Sequence, residues 1–416
     1  MGISLLLITS CSPKLAPRSS KADINQIITK DYADHLIKTL SADDMQGRGT
    51  FTPGIDKAAN FISSEFKKIG LQPLEGNSSY RQTFYKYRVT EISSSFKLDG
   101  KRIIPTNLMV IGLSQVRTDL DESNTVVVKL DVEKPFRDQI GAIMSLGKNQ
   151  LVLMDKKFEA DFKRYRTHFS APQTVDALND GGNSAVKVFV LGSTSADKFN
   201  GAYVSSIEKM PLFNVVGMIP GKSKVKELVV FSGHYDHLGI LKPVEGDSIA
   251  NGADDDASGT TAVIALAKYY KALNNNERTL IFAAFTAEEI GGYGSKYFSE
   301  QLNPDSVVAM FNIEMIGKDS KFGKNTAFIT GYERSDFGKI LQKNLAGTEF
   351  TFYPDPYPAQ NLFYRSDNAR LAALGVPAHT ISTDQIDVDK YYHTVKDEYS
   401  TLDVENILST IKAIAK

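Results

Sequence analysis

Leu228-Val229-Val230-Phe231-Ser232-Gly233-His234-Tyr235-Asp236-His237 is the stretch that decides the fold. Its first four residues are apolar, β-branched or aromatic, and too few for a helix. They read as a strand buried on both faces, the kind found in parallel sheets. Outward from it, residues 257–273 carry Val263, Leu266, Ala267 and Tyr270 at helical spacing, 279–285 form a second apolar run, and 307–313 a third. After Pro211 the chain therefore alternates strand, loop and helix. That predicts an α/β class with a mixed, mostly parallel sheet and helices on both faces. In such sheets ligands bind beyond the carboxyl ends of the strands, so chemistry is expected just after each run.

It is found there. His234 follows the first strand, with Asp236 two residues on to orient it. Asp254-Asp255-Asp256-Ala257-Ser258-Gly259 opens the helix, Thr286-Ala287-Glu288-Glu289 follows the second strand, and Asn312-Ile313-Glu314-Met315 ends the third. Tyr392-His393-Thr394 stands before Asp397 near the C-terminus. Two imidazoles and at least three carboxylates at successive strand ends are the N/O ligand set of a hydrolytic two-zinc centre. Each element has a plainer reading. Acids at 254–256 cap the following helix equally well, Glu288-Glu289 suits a first helical turn, and either histidine alone suits a hydrogen-bonded loop. Jointly those readings weaken, because carboxylates gathered beside buried strands repel unless cations neutralise them.

The rest of the chain sets bounds. Its 416 residues accommodate one large and one smaller domain or two to three ordinary ones, and 42% hydrophobic with 23% charged residues is globular. A net charge of -1, no basic stripe, and neither a GxxxxGK[ST] loop nor a GxGxxG turn exclude nucleic-acid and nucleotide chemistry. Residues 24–40 and 55–69 have helical periodicity, the latter stopped by Gly70. Residues 90–210 differ, with short β-rich runs such as Val126-Val127-Val128 and Val186-Lys187-Val188-Phe189 between polar loops. This predicts an inserted β-rich domain at 93–207, flanked by a catalytic domain of 22–92 plus 208–416.

Cys11 is the only cysteine, which excludes an internal disulfide and a cysteine-based metal site. It follows Leu5-Leu6-Leu7-Ile8-Thr9-Ser10 and precedes a Ser/Pro/Lys-rich linker to residue 21, an order that resembles a bacterial lipoprotein signal. The apolar run is short and no Lys or Arg precedes it. A start placed too late would account for both, and an incidental cysteine is the alternative. The expectation is a secreted or cell-envelope protein that meets a membrane only through a lipid on Cys11. No later apolar run reaches the ~18–20 residues of a membrane helix.

The series His234-x-Asp236, Gly-x-Asp254-Asp255-x-Ala-Ser-Gly, Ala287-Glu288-Glu289, Asn312-x-Glu314-Met315 and Tyr392-His393-Thr394-x-x-Asp397 resembles the two-zinc exopeptidases that include bacterial leucyl aminopeptidases and glutamate carboxypeptidases. Leu40-Ser41-Ala42-Asp43-Asp44-Met45-Gln46-Gly47-Arg48-Gly49 and Lys68-Ile69-Gly70-Leu71-Gln72-Pro73 resemble them too, so the likeness covers roughly 40–90 and 205–405. The resemblance implies a phosphorylase/hydrolase-like fold, two zinc ions and a peptide substrate. It implies Asp255 as the bridge, His234 and Glu314 on one zinc, Glu289 and His393 on the other, and Glu288 as general base. It also implies that a protease-associated domain fills the insert. Two departures stand out: Glu314 where the family usually has Asp, and Arg365-Ser366-Asp367-Asn368 where His commonly follows Ser-Asp.

Within the family, aminopeptidase activity leads. Carboxypeptidase action on acidic peptides needs an arginine cluster, for which Arg334, Arg365 and Arg370 are candidates. Glutaminyl cyclisation needs one zinc, against ligands for two here. A catalytically dead binding protein lacks ligands or base, and all are present in this chain. No HExxH occurs, which excludes a zincin.

Overall fold

The computed structural model describes residues 22–112, 117–176 and 185–416. Cys11 and its flanks lie outside them. The chain divides into two compact units, one of the described residues up to Gln82 with Asn214–Lys416, the other Thr83–Phe213.

In the first unit the strand order is Thr351–Pro354, Thr326–Ile329, Ala378–Ser382, Val307–Ile313, Lys224–His234, Arg278–Phe285, then residues 215–219 of the strand Phe199–Ile219. The four from Ala378–Ser382 to Arg278–Phe285 are mutually parallel. Antiparallel pairings flank them. Register explains the two-sided burial. Val230 lies level with Ile281 and Met310, and Phe231 with Phe282 and Phe311. Successive residues of a strand face opposite ways, so these rows serve opposite faces. The first row packs on Phe298 and Leu371, from the helices Tyr293–Glu300 and Asn368–Ala373. In the second, Phe231 stacks on Phe282 at 5.4 Å and on Phe311 at 4.9 Å, and meets Tyr270 of the helix Gly259–Leu273 at 5.4 Å. Each fully buried side chain of this size is worth roughly 1.5–3 kcal/mol, which makes these rows the framework on which the strand ends are fixed.

Three local departures have physical causes. The strand expected at 228–231 runs on to His234, because Ser232, Gly233 and His234 keep the parallel ladder with Ala283, Ala284 and Phe285. The helix expected at 24–40 is two, Ile24–Ile27 and Lys30–Leu40. Thr29 leaves helical geometry at φ -95° and ψ 158°, and its hydroxyl accepts the Tyr32 N–H as a cap. The helix expected from residue 257 starts at Gly259, after an irregular turn over Ala253–Ser258 that presents Asp255.

The second unit is not purely β. Its four-stranded sheet has the order Leu108–Ile111, Lys187–Leu191, Gln150–Met154, Val126–Lys129, with the last three parallel. Parallel neighbours need crossovers. The helix Phe136–Ser145 links the strands Val126–Lys129 and Gln150–Met154, and the helix Glu159–Phe169 follows the latter. Phe136, Ile143, Phe158 and Phe162 pack on Val152, Met154 and Phe189. The unit begins at Thr83 and ends at Phe213, wider than the textural limits of 93–207, because the long strands Arg81–Leu98 and Phe199–Ile219 carry it outward.

Candidate metal centre

His234 closes its strand, Glu288 and Glu289 come just after the strand Arg278–Phe285, and Glu314 directly follows Val307–Ile313. Parallel strands thus deliver these groups at one edge of the sheet. Asp255 sits at the centre. Its Oδ1 lies 3.2 Å from His234 Nε2, and its Oδ2 lies 3.2 Å from His393 Nε2. His393 Nε2 is also 3.1 Å from Glu289 Oε2. Glu288 and Glu314 line the same cleft as Asp255, Glu289 and His393. Ser366 Oγ donates to Glu314 Oε2.

The three consecutive aspartates divide their work. Asp254 accepts from the Gly317 N–H at 2.7 Å and the Ser258 hydroxyl at 3.1 Å, and Asp256 from the N–H groups of His234, Gly259 and Met315 at 3.1, 3.0 and 3.1 Å. Asp256 thus meets the first N–H of the helix Gly259–Leu273, as the plain capping reading expects, whereas Asp254 ties the turn to the loop at Gly317 and to Lys318 at 3.4 Å. Asp255 alone turns its carboxylate to the imidazoles.

Asp236 acts otherwise than its spacing suggested. The group on His234 Nδ1 is the Asp236 backbone carbonyl at 3.1 Å, whereas its carboxylate lies 3.9 Å away. That carboxylate accepts the N–H groups of Glu288 and Glu289 at 3.0 and 3.3 Å and the Thr50 hydroxyl at 3.2 Å. A charged acceptor on two successive amides fixes the turn that carries both glutamates.

Sequence reasoning gave no role to three further residues. Arg48 is fully buried and donates to the carbonyls of Leu40, Tyr235, Asn251, Gly252 and Asp255 at 2.7, 2.8, 2.6, 2.8 and 3.4 Å. Gly47 before it, at φ 61°, leaves no room for a Cβ, which would meet the carbonyls of Ala250 and Gly239 at 2.5 Å. Asp397 accepts the N–H groups of Asp254 and Asp255 at 3.1 and 3.0 Å. His237 Nδ1 donates to Glu289 Oε1 at 2.8 Å, which makes a third imidazole part of the cluster. Arg48 and Asp397 stood inside the quoted motifs, but apart from the Leu40 carbonyl the partners that give them their roles are more than a hundred residues away in sequence.

The electrostatics call for cations. His234 gives its Nδ1–H to a carbonyl, so in the neutral ring Nε2 carries a lone pair. That atom is buried, has no hydrogen-bond donor, and faces a carboxylate oxygen. Two lone pairs at that separation need a proton or a metal between them. Without metal, protons are drawn in. Burial disfavours a charged His393, but the bonds to Asp255 and Glu289 prevail and push its pKa up to about 10. Burial followed by the field of neighbouring acids pushes Glu314 up to about 7 and raises Glu288 well above the usual range, against the pull of His234. Divalent ions replace those protons, and the N/O donor set fits zinc.

A buried carboxylate shared by two imidazoles, with further glutamates lining the same cleft at the carboxyl ends of a parallel sheet, defines a metal-dependent hydrolase. Residues 214–416 match the model of peptidase family M28. The chain is 26% identical over 282 residues to leucine aminopeptidase 1 of Ajellomyces capsulatus (strain H88), which spans 64% of this chain and 69% of that protein. In fold it resembles an aminopeptidase from Aneurinibacillus sp. strain AM-1 (TM-score 0.53, 20% identity, 94% and 93% of the two chains). It also resembles a zinc aminopeptidase from Bacillus subtilis (TM-score 0.52, 15% identity, 93% of each chain).

Proposed function

We propose that the protein is an aminopeptidase that uses two zinc ions to release N-terminal residues from peptides. The observation that carries this reading is the splitting of Asp255, one oxygen toward His234 and the other toward His393 with Glu289. His234, Asp255 and Glu314 would hold one zinc, and Glu289, His393 and Asp255 the other. Zinc held by these residues would supply acidified water and a polarised scissile carbonyl. Glu288 takes the water's proton and passes it to the leaving amine. Burial holds its pKa above the usual carboxylate range, which suits a group that accepts and returns a proton. Asp236 keeps Glu288 in place through the backbone rather than touching substrate.

The arginines count against carboxypeptidase action. Arg334 lies over the rings of Phe363 and Tyr364 at 4.7 and 5.0 Å, and Arg370 donates to the Gly291 carbonyl at 3.1 Å. Arg365 alone of the three lines the cleft, so no bidentate cluster awaits a substrate carboxylate. The similarity to a protein named leucine aminopeptidase 1 points the same way.

The test is a panel of aminoacyl p-nitroanilides with free and acetylated amines, run with and without chelator, with metal counted by elemental analysis. Activity on free amines only, lost on chelation, is expected. Equal cleavage of blocked substrates would refute the reading. We further propose that Cys11 is lipidated and holds the protein at the bacterial cell envelope. Expressed in a bacterial host behind a complete lipoprotein signal, the protein should partition into detergent with a modified Cys11, and unmodified protein in the aqueous phase rejects the anchor.

A further inference from the structure

The cleft contains a carboxylate that the proposed chemistry does not use. Asp384 follows the strand Ala378–Ser382, which pairs with Val307–Ile313 and so ends beside Glu314. It lines the same cleft, yet its residue is only 3% exposed, and among the described residues neither carboxylate oxygen has a hydrogen-bond donor. Its surroundings do not neutralise it. Carboxylates of Asp254 and Asp389 stand within 4.8 Å. The one ammonium among them, Lys318, is engaged by Asp389 at 2.5 Å and Asp254 at 3.4 Å. Three carboxylates thus share one ammonium, which leaves the group two positive charges short, and Asp384 is the member that lines the cleft. A buried charge without a partner is costly, and a cation supplied from the cleft removes that cost.

Phe328, Leu362 and Ile386 give the cleft that Asp384 lines an apolar wall. A long aliphatic stem with a terminal positive charge matches an apolar wall ending in a carboxylate. Arg365 also lines the cleft, but it is an exposed side chain whose charge is solvated, so it neither satisfies Asp384 nor outweighs it.

We propose that Asp384 is a specificity-determining residue that selects peptides with lysine or arginine at the N-terminus by pairing with the side-chain cation of the residue to be released. This rests on the aminopeptidase reading. The experiment compares lysyl and norleucyl p-nitroanilides, which share a four-carbon stem and differ only in the terminal ammonium. With the wild-type enzyme, kcat/KM for lysyl should exceed that for norleucyl by roughly 10–100-fold, the usual worth of a charge-assisted bond in a desolvated site. In Asp384→Asn that ratio should fall to within about threefold of one. If neither substrate is cleaved, the aminopeptidase reading fails. If norleucyl is cleaved as well as lysyl, or a glutamyl substrate is preferred, that reading stands and the role of Asp384 is refuted. An equal loss on both substrates in the variant also refutes it, since this marks a contact with the α-ammonium or a purely structural role. Product inhibition of the wild-type enzyme by free lysine against free norleucine decides the matter even if the variant does not fold, with at least tenfold tighter lysine expected and equal binding overturning the proposal.

Discussion

Replacing Arg48 by lysine tests whether the metal loops are held from behind by a single side chain. Five backbone carbonyls, from Leu40, Tyr235, Asn251, Gly252 and Asp255, converge on the guanidinium. A lysine keeps the charge but has three N–H donors on one atom, so at least two of these buried carbonyls go unserved. Each unsatisfied buried carbonyl costs ~1–3 kcal/mol, so Arg48→Lys should destabilise the first unit by about 2–6 kcal/mol. At ~2–4 °C per kcal/mol for a domain of this size, melting should drop on the order of 5–20 °C. The chain has no tryptophan, so the melt is best followed by far-UV circular dichroism. Because Asn251, Gly252 and Asp255 belong to the ligand loop, zinc retention in a chelator competition should fall with the melting temperature. A variant that melts within about 2 °C of the parent and holds metal equally would refute the clamp.

Three further outcomes follow from the same geometry. Glu288→Gln should keep metal and fold while lowering kcat by roughly 10²–10⁴-fold, and near-normal turnover would remove Glu288 as the base. Glu314→Ala should lower zinc content towards one per chain by elemental analysis while Glu314→Asp keeps two, because charge and donor type survive; two tightly held ions in the alanine variant would assign the ligand elsewhere. Zinc affinity of chelator-treated protein should rise with pH. Proton release from Glu314 (about 7) and His393 (about 10) accompanies metal entry, so these two groups contribute a steeper slope below pH 7 than between 7 and 10. The metal-free protein has the opposite sign. A histidine raised from 6.5 to about 10 stabilises the fold fully below pH 6.5, and that contribution is lost as pH rises through 10. A pH-independent zinc affinity in isothermal calorimetry would show that no protons are displaced.

How much was legible in the sequence depended on whether the information was local. The run at residue 228 announced a buried parallel strand because apolar continuity is a property of neighbours. The strand Val307–Ile313 has the limits the sequence suggested for the same reason. Candidate ligands were legible because strand ends recur next to acids and imidazoles. What could not be read is who bonds to whom across the fold. Nothing near Asp236 shows that its carboxylate reaches the Glu288 and Glu289 amides while its own carbonyl takes His234. His237 looked like a neighbour of His234, but the turn after the strand aims it at Glu289. In the second unit the helix Phe136–Ser145 was overlooked because it is short and amphipathic between β-rich runs, and parallel pairing, which demands a crossover, is itself invisible in sequence.

The groups expected to react are outnumbered by those that hold them, and the backbone shows why. Ala287 before Glu288, Met315 after Glu314, and His393 itself take left-handed conformations, with φ of 59°, 51° and 57°. Such positions cost non-glycine residues on the order of 1–3 kcal/mol each and persist only where surroundings over-determine them. Those surroundings are identifiable here. Asp236 grips the amides just beyond Ala287, Asp256 accepts the Met315 N–H, and Asp397 with Arg48 fixes the loop whose Asp255 meets His393. Asp236, Asp256 and Asp397 are buried acids whose pKa burial raises, and the buried Arg48 is the cation among them, so the holding groups add carboxyls around Asp255 and Glu289. The same carboxylates that keep the turns strained thereby raise the demand for cations at the centre, which couples the rigidity of the loops to the affinity for metal.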